Sequence, residues 1–123
     1  MIPTILVGWQ PVKEGPFLPY GKWGCFAALA VQPSQPVVIK GAGFNPKEEV
    51  TIKVCFGEKD IPFVEKPLPI VNPCGAFDYA GKLPVSQLPP GVNHVPTSVK
   101  AWVGKELRAV CPINIVDKLP PLP

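Results

Sequence analysis

Arginine and histidine are nearly missing from this chain: Arg108 and His94 are the only ones among its 123 residues. Nucleic-acid recognition calls for cations clustered on one face. Here 12 Lys and Arg are offset by 9 Asp and Glu, the net charge is +3, and no two basic residues are adjacent. No nucleic-acid partner is expected. A lone histidine leaves little for acid–base or nucleophilic chemistry, because His94 in Gly91-Val92-Asn93-His94-Val95-Pro96 has no serine or carboxylate beside it in sequence. The chain reads as a non-enzyme. Serine and threonine are also scarce, limited to Thr4, Ser34, Thr51, Ser86, Thr97 and Ser98. Together with loops filled by proline and charges dominated by Lys and Glu, this gives a thermophile-like composition.

Long uninterrupted segments are missing too. The apolar run Phe26-Ala27-Ala28-Leu29-Ala30-Val31 lies between Gly24 and Pro33, far short of the roughly 20 residues that span a bilayer, so no membrane span is expected. The opening Ile2-Pro3-Thr4-Ile5-Leu6-Val7-Gly8-Trp9 lacks the positive n-region of a signal peptide. Either a signal was removed before numbering began, or the protein reaches the outside by another route, as a virion component would. No stretch between prolines is longer than Lys47–Ile61, which excludes a bundle of long helices, because proline removes a backbone donor and clashes inside a helix. There is no Cys-x-x-Cys pair, and Glu48, Glu49, Glu58 and Asp60 offer too few oxygens at too wide a spacing for calcium. No metal or cofactor is expected.

What the chain has is 46% hydrophobic residues, enough for a core, together with 19 prolines and 11 glycines. The apolar residues fall in short segments: Phe26–Val31, Pro36–Lys40, Glu49–Phe56, Ile61–Val64, Ala76–Lys82, Thr97–Val103 and Arg108–Val116. Gly41-Ala42-Gly43, Asn45-Pro46, Asn72-Pro73, Pro89-Pro90-Gly91 and Gly104 separate them. Alternation is clear where Val50, Ile52 and Val54 flank Thr51 and Lys53, and where Val99, Ala101 and Val103 flank Lys100 and Trp102. About seven short strands with turns at this spacing predict an all-β immunoglobulin-like sandwich over residues 25–116. Residues 1–24 read as an extended N-terminal arm with one short strand from Thr4, and residues 117–123 as an extended Pro-rich tail.

The glycines of Val38-Ile39-Lys40-Gly41-Ala42-Gly43-Phe44-Asn45-Pro46 lack the Lys-Ser/Thr of a phosphate loop. Their expected role is mechanical: Gly41 and Gly43 let the chain leave a strand sharply, Phe44 plugs the end of the sandwich, and Pro46 turns the chain onward. This run, continuing through Glu48 to Val50-Thr51-Ile52, then Cys74-Gly75-Ala76-Phe77, then Pro90-Gly91 ahead of Ser98-Val99-Lys100-Ala101-Trp102, resembles the IPT/TIG-type immunoglobulin-like domains repeated in prokaryotic surface proteins. The resemblance spans about residues 33–116. It implies an extracellular β-sandwich used for adhesion, spacing or assembly, with no catalytic residues to carry over. In the topology so inferred, the four cysteines pair as Cys55 with Cys74 and Cys25 with Cys111, which places the protein in an oxidising compartment or a hyperthermophile cytoplasm.

Five of the 11 aromatic residues (Trp9, Phe17, Tyr20, Trp23 and Phe26) lie in the first 26 positions. An arm exposing that much apolar surface invites burial, either on a neighbouring copy or over an open edge of its own sandwich. The first destination makes Ile5, Val7, Trp9, Phe17, Tyr20 and Trp23 subunit-interface residues. The protein is then a structural subunit of an extracellular or cell-surface filament, polymerising with copies of itself as the arm adds a strand to a neighbour's sheet. Two other classes fit the same sequence: a viral decoration or capsid-stabilising protein, and an adhesion module in which Trp9, Trp23 or Trp102 stacks on a glycan or a host surface.

Overall fold

In the computed structural model, residues 2–9, 21–23 and 26–118 are described, the side chains of 21–23 and 26–28 excepted. Every regular element among them is a strand: β1 (Thr4–Trp9), β2 (Gly21–Trp23), β3 (Phe26–Val31), β4 (Pro36–Ala42), β5 (Thr51–Phe56), β6 (Lys59–Pro62), β7 (Phe77–Lys82), β8 (His94–Val103) and β9 (Glu106–Val116). They form a small sheet in the order β1-β4-β7 and a large one in the order β2-β3-β9-β8-β5-β6.

The strands follow the two-residue periodicity of a pleated surface. In β4, Val37 and Ile39 are buried while Pro36 and Lys40 are exposed; in β7, Phe77, Tyr79 and Gly81 are buried while Asp78, Ala80 and Lys82 are exposed. The inward residues of both sheets meet in one core: Ile5, Val7, Val37, Ile39, Phe77 and Tyr79 from the small sheet, and Leu29, Val31, Ile52, Val54, Val99, Ala101, Ile113 and Ile115 from the large one. The molecule is therefore all-β with the two-layered character of a sandwich. Neighbouring strands pair antiparallel except β3 and β9, which run parallel with Leu29 opposite Ile113 and Val31 opposite Ile115.

Two expectations change here. The stretch Thr4–Trp9 is no separate arm: it pairs along its whole length with β4, from Thr4 opposite Ala42 to Trp9 opposite Val37. The bridge between Cys55 and Cys74 is also absent, and both are free thiols. Cys55 alternates with the inward Ile52 and Val54 and so lies on the outer face of the large sheet, whereas Cys74 is exposed in the turn that enters β7 of the small sheet. The core lies between them. Cys111 is buried in β9, and Cys25 lies outside the described residues, as does its pairing with Cys111.

Candidate assembly interface

Each sheet has two edges where another chain could pair, β2 and β6 in the large sheet and β1 and β7 in the small one, and the sequence around the last two gives them contrasting characters. At the first edge, β1 is uncharged and alternates around Leu6, so Ile5 and Val7 enter the core at 2% and 1% exposure while Leu6 stays 55% exposed. Trp9 packs against the core, and its indole Nε1–H donates to the Ala30 carbonyl at 2.8 Å, tying β1 to the facing sheet. Of the expected interface residues, Ile5, Val7 and Trp9 are thus directed into their own chain's core. Phe17 and Tyr20 lie outside the described residues, as does the side chain of Trp23, whose backbone pairs with Phe26 in the β2–β3 hairpin.

Glycines fix the end of this sheet. Gly41 sits against the Phe77 ring so closely that an added Cβ would lie 2.2 Å from Cε1. At Gly43, with φ of +81°, a Cβ would meet the Ile2 carbonyl oxygen at 2.8 Å. Both positions need a residue without a side chain, the second also for its left-handed backbone. Phe44 then turns inward to 4% exposure and stacks edge-on against Phe77 with centroids 5.1 Å apart. Its amide donates to the Gly75 carbonyl at 3.1 Å. Gly43 takes its left-handed backbone just after β4, whereas Gly41 lies within β4 between Ile5 and Phe77, and Pro46 lies in the exposed turn that follows.

In that turn Glu48 accepts the Asn45 amide at 2.9 Å and reaches Arg108 of β9 through two bonds, Nη1 to Oε1 at 3.2 Å and Nη2 to Oε2 at 2.8 Å. Partial burial pushes the Glu48 carboxyl up, but the Asn45 amide and the Arg108 guanidinium outweigh it and hold it below the ordinary carboxylate range.

The second edge, β7, is bordered by the connection from β6. Tyr79 donates its hydroxyl to the Glu65 carbonyl at 2.8 Å, and the Lys82 amide donates to Glu65 Oε1 at 3.0 Å. Burial and the nearby Glu65 charge push the Tyr79 phenol up, against the pull of that hydrogen bond. At the other end Asn72 shapes a tight turn, its Oδ1 accepting the amides of Cys74 and Ala76 at 2.9 and 3.0 Å. Between these points runs a groove of about 830 Å³ lined by Lys66, Leu68, Ile70, Asp78 and Ala80.

The tryptophans offer no open stacking platform among the described side chains. Trp9 is committed to Ala30, and Trp102, half-buried on the large sheet, carries the Lys53 ammonium 5.2 Å from its ring centroid. His94 is exposed and shares a 2.9 Å hydrogen bond with Asn93. Among the described residues no group of His, Cys, Asp and Glu is arranged to hold a metal, and no helix is long and apolar enough to cross a membrane. Sequence reasoning missed β2, whose three residues Gly-Lys-Trp carry no periodicity, and the groove beside β7, which arises from chain crossing and leaves no local pattern. No family model, curated protein or solved structure matches the chain.

Proposed function

We propose that the protein is an immunoglobulin-like structural subunit of an extracellular filament or surface assembly, joined to copies of itself through β1. The strand order supports the immunoglobulin-like part. Taking β1, β4 and β7 as strands A, B and E and β5, β8 and β9 as C, F and G, the sheets read A-B-E and G-F-C, as in such sandwiches. The observation that carries the assembly role is that β1 is an edge strand of the small sheet whose buried Ile5 and Val7 complete the core. Every contact β1 makes with β4 is one that the β1 of a neighbouring copy can make in the same register. Exchange of this kind from copy to copy stays open-ended and builds fibres.

The test is to trap β1 where it docks. Leu6 and Lys40 are partners in register with exposed side chains, so Leu6→Cys with Lys40→Cys, in a Cys55→Ser, Cys74→Ser background, links β1 to whichever β4 it occupies. After incubation at high concentration and oxidation, a covalent ladder on a non-reducing gel is the expected result. Internally linked monomer alone, at every concentration, would show that β1 stays at home and would end the proposal.

A further inference from the structure

The opposite edge of the small sheet has an unfinished look that the β1 reading leaves unexplained. The Leu83 amide donates to the Gln35 carbonyl at 3.0 Å, toward β4, while the Lys82 amide points the other way to Glu65. Since backbone groups alternate sides along a strand, Ala80 and Asp78 also turn their N–H and C=O groups away from β4. Both ends of this outer edge are closed by the chain itself: the Lys82 amide by Glu65 Oε1 at 3.0 Å, and the Ala76 carbonyl by the Asn72 amide at 2.8 Å. Between the two closures, the backbone groups of Asp78 and Ala80 have no strand beside them among the described residues, and the groove of about 830 Å³ runs along them. Ile70 lies on its wall, 63% exposed. An immunoglobulin-like sheet of this kind has a fourth strand, D, next to E. Among the described residues no strand takes that place.

We propose that the slot beside β7 binds an extended peptide of another polypeptide, which adds as a fourth strand antiparallel to β7. Backbone pairing with Asp78 and Ala80 supplies the affinity, and alternate apolar side chains rest on Leu68 and Ile70. The lining as a whole is balanced, Lys40 and Lys66 against Glu65 and Asp78 with Lys40 paired to Asp78 at 3.8 Å, so selection of the ligand rests on Glu65 alone. Glu65 lines it at the Lys82 end, no cation forms an ion pair with Glu65 among the described residues, and its Oε2 is buried with no hydrogen-bond partner. An antiparallel strand brings its N-terminal end to that point, so the ligand carries a lysine or arginine there. This site is separate from β1.

The probe is acetyl-Lys-Val-Thr-Val-Thr-Val-amide titrated into the full-length, isotope-labelled protein, with a Glu-for-Lys peptide as its comparison. The amides of Asp78 and Ala80 are expected to shift and gain protection, and the Glu peptide to bind about tenfold more weakly. Ala80→Pro removes a donor at an edge position where proline is tolerated, and is expected to weaken both peptides at least about tenfold. Glu65→Gln keeps an acceptor for Lys82 and is expected to erase the preference for Lys over Glu, which decides the matter should Ala80→Pro not fold. Silence at Asp78 and Ala80 up to millimolar peptide would overturn the proposal, as would equal binding of the two peptides. Concentration-dependent shifts at the same amides without peptide would overturn it in favour of a second copy as occupant. Neither result bears on the gel ladder that tests β1.

Discussion

The two edges of the small sheet are built on opposite plans. At β1 the side chains do the work: Ile5 and Val7 fill the interior, and the strand is part of the core although it lies at the rim. At β7 the inward Phe77 and Tyr79 are also buried, but the outer backbone is closed at two points by Glu65 and Asn72 and left open between them. An edge can thus be protected by being needed inside or by being capped along its length. Both rims lack an outer neighbour strand among the described residues, and at β7 a groove runs beside the open stretch.

The contrast is sharpest in stability. Ile5→Ala or Val7→Ala is expected to lower the free energy of unfolding by about 2–4 kcal/mol, while Asp78→Ala at the other edge should change it by under about 0.5 kcal/mol. Urea titrations of the three variants measure this, and a costly Asp78→Ala would erase the distinction. A smaller loss, about 1–3 kcal/mol, is expected for Gly41→Ala, because its Cβ would enter the Phe77 ring and force β4 and β7 apart. The same titration checks it, and Phe77→Leu in the same chain should return part of the loss. Leu6→Ala serves as the control within β1, expected within about 0.5 kcal/mol of the parent since its side chain is 55% exposed.

The smallest effect belongs to neither edge. Glu48 is held below the ordinary carboxylate range in the folded chain, so it binds a proton less readily there than when unfolded. Its contribution is fully present above the unfolded value, about 4.3, and is lost as pH falls through the lower folded value. Thermal melts from pH 7 to pH 2 should therefore fall more steeply for the parent than for Glu48→Gln. Parallel curves would remove Glu48 from the account of acid sensitivity.

Much of the fold was legible in the sequence because strands carry their own signal. The alternation around Ile52 and Val54 gives β5, the run Phe26–Val31 coincides with β3, and Ala76–Lys82 covers β7. The glycines at 41 and 43 read as a sharp exit from a strand, whereas Gly41 lies inside β4 and it is the approach of the Phe77 ring, invisible in the local sequence, that excludes a side chain there. What could not be read is whatever depends on which surface meets which. Thr4–Trp9 reads as a strand, but nothing in its residues says whether its partner is β4 or another chain. Cys55 and Cys74 are neighbouring cysteines along the chain but do not bridge: Cys55 sits on β5, where its register turns it away from the core, and Cys74 is exposed in the turn before β7. The slot beside β7 has no sequence pattern, being made where residues 65–72 pass a strand that they precede.

The scarcity of arginine also has a practical use. Arg108, whose guanidinium grips both carboxylate oxygens of Glu48, is the only arginine in the chain. A guanidine-selective reagent such as phenylglyoxal therefore has one target side chain, held by Glu48 while the fold is intact. The rate at which a single adduct appears in the mass spectrum becomes a label-free clock for the opening of that contact, with no mutation introduced anywhere.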